Sequence, residues 1–175
     1  MLPDAGHSGC ASANEMTKIK DRLRHARILL IDDNRGDAML TKLAFKQASI
    51  EINFVVAETA EQGLSILRQE GNFSTAPRPD IILLDLNLPL MHGHEFLSTV
   101  KADPGLRGIP VVILTSSSSD QDVATSYDRY ANGHITKPFS AEAFTAVAEK
   151  IEQYWFDLMQ CPPDGIQVIQ RTGSA

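Results

Sequence analysis

At 175 residues the chain holds one domain of ordinary size with room for tails, and 43% hydrophobic against 22% charged residues is the balance of a soluble globular fold. No apolar run approaches the roughly 18 residues that span a bilayer, residues 1–14 lack the apolar core of a secretory signal, and a net charge of −6 lacks the clustered Lys and Arg that neutralise nucleic-acid phosphates. Two cysteines, Cys10 and Cys161, make neither a disulfide framework nor a metal cluster, so the sequence reads as cytoplasmic, with no membrane or nucleic-acid partner.

Residues 1–24 read as a flexible leader, and the basic stretch from Lys18 to Arg27 as a solvated face. Arg27 to Ile31 is an apolar run closed by Asp32 and Asp33, the pattern of a buried parallel strand. Asp37 to Ala48 has mostly helical spacing, and Ile52 to Val56 is a second strand. Thr59 is an N-cap for a helix carrying Gly63, Leu64, Ile66 and Leu67, and Gly71 to Pro79 is a loop. Ile81 to Leu84 is a third strand, closed by Asp85. A helix follows from about Gly93 to Lys101, stopped by Asp103-Pro104-Gly105. Val111 to Leu114 is a fourth strand ending at Thr115, Asp122 to Ala131 a helix, and Gly133 to Lys137 a short last strand. Ser140 caps a long helix running to about Met159, and residues 160–175 form a tail.

Strands this apolar must be covered on both faces, which predicts an α/β fold: a parallel sheet between helices, residues 25–159 forming one domain. For five such units the flavodoxin-like strand order 2-1-3-4-5 is expected, with the site at the carboxyl ends of the strands. That edge receives Asp32 and Asp33 from the first strand, Asp85 from the third, Thr115 from the fourth and Lys137 from the fifth. Three carboxylates in one crevice disfavour each other's ionisation, so cations must offset them. Lys137 supplies one charge, and a hard divalent ion bound through oxygen, suited to Mg²⁺, supplies the rest. An Asp or Thr after a single strand is commonplace; the ordered set is not.

The stretches Leu30-Ile31-Asp32-Asp33-Asn34, Leu84 to Gly93, Ile113-Leu114-Thr115-Ser116 and Thr136-Lys137-Pro138-Phe139 resemble the receiver domains of two-component response regulators, over about residues 25–150. Pro77 to Asp80, Leu84 to Pro89 and Ile151 to Trp155 look most like the single-domain regulators partnered with phytochrome-type histidine kinases. The resemblance implies a signalling domain that catalyses no turnover beyond its own phosphorylation and dephosphorylation. It makes Asp85 the phosphoacceptor, Asp33, Asp85 and the backbone carbonyl of Asn87 the ligands of Mg²⁺, and Asp32 the holder of a metal-bound water. Lys137, Thr115 and the adjoining Ser116 would bind the phosphoryl group, and the Lys137–Pro138 bond would be cis. Three residues before the lysine, receivers usually carry Tyr or Phe as a switch; here His134 stands there, either a titratable switch or a plain edge histidine.

Phe144, Val147, Ala148, Ile151, Trp155 and Leu158 make one helical stripe, but Tyr154, Trp155 and Phe156 are consecutive and, at about 100° per residue, cannot all face one core. That surplus predicts a partner surface and a homodimer through the last strand and last two helices. Three rival readings compete with the regulator. An aspartyl-nucleophile phosphatase of the haloacid-dehalogenase type wants a second Asp where Asn87 stands, and a flavodoxin's phosphate turn would be repelled by Asp32-Asp33-Asn34. The third, a degenerate receiver used only for contact, is opposed by the intact acids, Thr115 and Lys137.

Overall fold

Ile28, Leu29, Leu30 and Ile31 are buried without exception, as the apolar run requires of a strand covered on both sides. The computed structural model describes residues 25–46 and 51–158. The predicted leader, the tail from residue 160, both cysteines, Ala48 and the helix end at Met159 lie outside them. Strand β1 (His25–Ile31) leads to helix α1 (Arg35–Phe45), then β2 (Glu51–Ala57), α2 (Ala60–Leu67) and a short 3₁₀ turn at Gly71–Phe73. The chain continues through β3 (Ile81–Leu84), α3 (Gly93–Ala102), β4 (Val111–Thr115), α4 (Asp120–Asp128), β5 (Gly133–Thr136) and α5 (Ala141–Glu152). All pairings are parallel and the strand order is 2-1-3-4-5, as expected. Among the described residues no helix is long and apolar enough to cross a membrane.

Alternation along the strands divides the core in two. Leu29, Ile31, Ile82, Leu84, Val111 and Ile113 face α2 and α3. Ile28, Leu30, Ile81, Leu83 and Val112 face the opposite way, onto Phe45 of α1 and Phe144, Ala148 and Ile151 of α5. At the amino-terminal edge Arg27 forks onto Asp80, with Nε 3.2 Å and Nη2 3.1 Å from the carboxylate oxygens, pinning β1 to the entrance of β3. The polar machinery collects at the other edge.

Two helix starts lie two residues earlier than the sequence reading put them. Helix α4 begins at Asp120 because Ser119 caps it, accepting from Asp122 N at 3.1 Å; the run of serines hid which one does so. Helix α1 begins at Arg35, since Asn34 accepts from Gly36 N and Asp37 N. After α5 the chain widens into a π-helical turn, Gln153–Leu158, instead of extending one α-helical stripe. Ile151 is buried there, Tyr154 is half exposed, and Trp155 packs partly against the core with its ring 5.1 Å from that of Tyr154. At least one of the run therefore lies outside the core, as the angular argument requires; the side chain of Phe156 is outside the described residues.

Candidate functional site at the carboxyl edge of the sheet

Each acid arrives on a strand end whose backbone is already paired. Asp32 N bonds Ala57 O at 3.0 Å and Asp85 N bonds Ile31 O at 2.9 Å, so the first and third strands deliver their carboxylates side by side. The last strand completes the group. Lys137 N donates to Thr115 O at 2.7 Å, and its Nζ lies 2.6 Å from Asp85 Oδ2, 2.8 Å from Asp32 Oδ2 and 2.9 Å from Asp37 Oδ2. Asp32, Asp85, Thr115 and Lys137 are all buried, while Asp33 faces solvent at the mouth.

Burial, joined by the Asp85 charge, lifts the Asp32 carboxyl above its ordinary range against the Lys137 ammonium and the Asn34 amide, which lower it. Burial also works against the Lys137 charge, but Asp32, Asp85 and Asp37 outweigh it and hold the ammonium protonated far beyond neutral pH. The local hydrogen bonds are unevenly shared. Asp85 Oδ1 accepts from Asn87 N at 3.0 Å and Asp32 Oδ1 from Asn34 N at 2.9 Å. Asp32 Oδ2, although close to Lys137, accepts no well-directed hydrogen bond among the described residues.

The chemistry of the donor set provides a test of the metal expectation. One carboxylate oxygen each from Asp32, Asp33 and Asp85 lies within 4.8 Å of the others. An all-oxygen, anionic set of three carboxylates with a single ammonium between them fits a hard divalent cation.

Asp37 is the member that sequence reading missed. It stands four residues after Asp33, in the first turn of α1, where an acid reads as a helix-start signal. Of the residues predicted for phosphoryl binding, Thr115 closes β4 and its Oγ1 accepts from Ser117 N at 3.3 Å. Ser116 is exposed and meets Asn87 Nδ2 at 3.5 Å. His134 is half buried, its ring lying between Ser126 and Ser117. The Lys137–Pro138 bond, expected to be cis, is trans, there being no cis peptide among the described residues. Trans is the lower-energy isomer by about 0.5–1 kcal/mol for an X–Pro bond, and from it Lys137 already reaches its three carboxylates.

Gly93 fixes the floor of the site. A Cβ there would stand 2.5 Å from Asp85 O and 2.6 Å from Leu86 Cα, so only glycine lets α3 begin this close to the end of β3.

The family model described as response regulator receiver domain matches residues 28–149. The chain belongs to that family. This receiver is 34% identical over 135 residues to the response regulator Rcp1 of Synechocystis sp., covering 77% of this chain and 92% of that protein. The crystal structure of the phosphorylated cyanobacterial phytochrome response regulator RcpA matches it with a TM-score of 0.75 and 37% identity, over 79% of this chain and 99% of that one. The Mn²⁺-bound form of Rcp1 matches with a TM-score of 0.73 and 34% identity, over 78% and 99%. The receiver's acidic cluster thus fits the class of ion, a divalent metal, carried by that Rcp1 structure.

Proposed function

We propose that Asp85 accepts a phosphoryl group from the phosphohistidine of a sensor kinase, and that the phosphorylated receiver signals by protein contact. The observation that carries this is the buried Lys137 ammonium within 2.6–2.9 Å of Asp85, Asp32 and Asp37. A carboxylate oxygen of Asp85 forms the new bond to phosphorus as the P–N bond of the donor breaks, its electron pair returning to the imidazole. Such transfer needs alignment and neutralisation of charge more than acid–base groups. Lys137 follows the negative charge from the carboxylate to the phosphoryl oxygens, and Thr115 and Ser116 offer hydroxyl donors to them. Asp33, Asp85 and the Asn87 carbonyl would hold Mg²⁺, with Asp32 on one of its waters. When bound, the ion neutralises charge on the acceptor and on the transferred group. His134 occupies the switch position.

Because Rcp1 and RcpA are the relatives at hand and RcpA is a phytochrome response regulator, the partner fitting this reading is a phytochrome-type histidine kinase. The exposed Tyr154, with Trp155 and Phe156, would contribute to a homodimer contact.

Incubation with acetyl phosphate and Mg²⁺ tests the chemistry: an acid-stable, alkali-labile phosphate is expected, absent from Asp85→Asn. No incorporation into the parent protein would leave only a contact module. Light scattering tests the dimer, and a monomer both before and after phosphorylation would remove it.

A further inference from the structure

Behind the switch position lies a hydrogen-bond chain. Ser126 of α4 is completely buried, and three groups converge on its hydroxyl. Asp122 O lies 2.7 Å away, His94 Nε2 of α3 at 3.1 Å and His134 Nδ1 of β5 at 3.3 Å. A serine hydroxyl has one hydrogen and two lone pairs. A carbonyl can only accept, and the short contact to Asp122 O uses the hydrogen. Both imidazoles must therefore donate to Ser126, which makes His94 the Nε2–H tautomer and puts a proton on His134 Nδ1.

The other nitrogen of His134 faces a second carbonyl, Ser117 O, at 3.5 Å. With Nδ1 already protonated, that contact is attractive only if Nε2 carries a proton too. The neutral ring must give up one partner; the imidazolium keeps both. Ser117 in turn donates from its backbone N to Thr115 Oγ1 at 3.3 Å. The charged and titratable groups nearby are His92, His94, Asp122 and Arg129. The hydroxyls of Ser117 and Ser119 both donate to the Asp122 carboxylate and hold it below its usual range. Arg129 donates to His94 O at 3.2 Å. Burial and the neighbouring His92 hold His94 toward its neutral form.

We infer that Ser126 is a positioning residue that, with His94, orients His134 so that protonation of His134 clamps the loop after β4 through Ser117. Resting on the phosphoryl-transfer reading above, this assigns the receiver a built-in response to pH. A turn of Thr115 toward a phosphoryl group gives up its bond from Ser117 N and frees the Ser117 peptide, whose carbonyl then loosens from His134. Acid therefore opposes phosphorylation, and by thermodynamic reciprocity phosphorylation expels the His134 proton.

The test has two arms. In the unphosphorylated protein, nitrogen NMR of the histidine rings is expected to find His94 as Nε2–H and a proton on His134 Nδ1. In the second arm, phosphorylation by acetyl phosphate is compared at about pH 6 and about pH 8 across variants, which cancels the donor's own titration. The acid-to-neutral ratio should be about fivefold lower in the parent than in His134→Gln or Ser126→Ala, the weight of one hydrogen bond. His94→Gln, which keeps an uncharged donor, should retain the parent profile. An Nδ1–H tautomer at His94, or a Ser126→Ala profile equal to the parent's, overturns the inference. If no protein takes up phosphate, the transfer reading has failed, and the NMR arm still decides the hydrogen-bond chain.

Discussion

Asp37 Oδ2 reaches across from α1 to within 2.9 Å of the Lys137 ammonium, so the lysine is shared by an acid that lies outside the metal cluster. That sharing dilutes the positive potential at Asp85 and adds negative charge near an incoming anionic donor. Asp37→Asn is expected to raise the rate of phosphorylation by acetyl phosphate roughly three- to tenfold, about 0.7–1.4 kcal/mol of barrier. A rate equal to or below that of the parent would show that Asp37 aligns Lys137 instead of competing for it.

Removing the ammonium leaves buried carboxylates uncompensated. Lys137→Met should lower unfolding stability by about 3–5 kcal/mol in metal-free buffer, the usual cost of breaking a buried pair from one side. Adding Asp32→Asn to it should recover part of that loss, because the two changes share one electrostatic network. Urea unfolding of both single variants and the double variant reads this directly.

Asp32 gives the pH dependence a sign. Its carboxyl is raised in the folded state by burial, so the folded protein binds that proton more readily than the unfolded chain does. The penalty is absent below the unfolded carboxylate range, grows as pH rises from there through the folded value, and is fully present above it. Lys137, raised in the folded state, contributes stability that persists until strongly alkaline pH and adds no slope in this window. Asp32→Asn is therefore expected to raise the urea midpoint at neutral pH in the presence of chelator and to flatten its fall between acid and neutral pH.

Metal should act on the same balance. At ten times its dissociation constant, Mg²⁺ would stabilise the parent by about 1.4 kcal/mol. The same concentration should leave Asp33→Asn nearly unmoved, since Asp33 is the exposed member of the oxygen cluster. Thermal melts with and without Mg²⁺ check both statements.

Gly93→Ala tests the floor of the site. Its Cβ would meet backbone atoms of Asp85 and Leu86, which cannot swing aside as a side chain would. A loss of about 1–3 kcal/mol is expected from overpacking. A reduced phosphorylation rate should accompany it, as the Asp85 backbone moves.

The first, third and fourth strands were legible because each is an apolar run ended by a polar residue of the site, Ile81 to Leu84 followed by Asp85 being the clearest case, whereas the strand order was expected from the fold class. Thr59 and Ser140 announced their helices, and both cap them. Asp37 escaped notice because an acid in a first helical turn already has a local explanation. Ser126 and His94 escaped because helical periodicity marks which residues face inward, not which inward-facing polar atoms meet across three elements. The π-helical turn after Glu152 has no periodic signature in so short a segment. His134 was placed at the right position, but its partners could be found only from coordinates.

Lys137 is separated by 52 residues from Asp85 and by 100 from Asp37 in the chain. A chain that ends before the last strand therefore carries these acids without the ammonium that offsets them. On the proposed reading, competence to receive a phosphoryl group requires the last strand, and uptake of phosphate doubles as a report that β5 has been made and has docked beside β4.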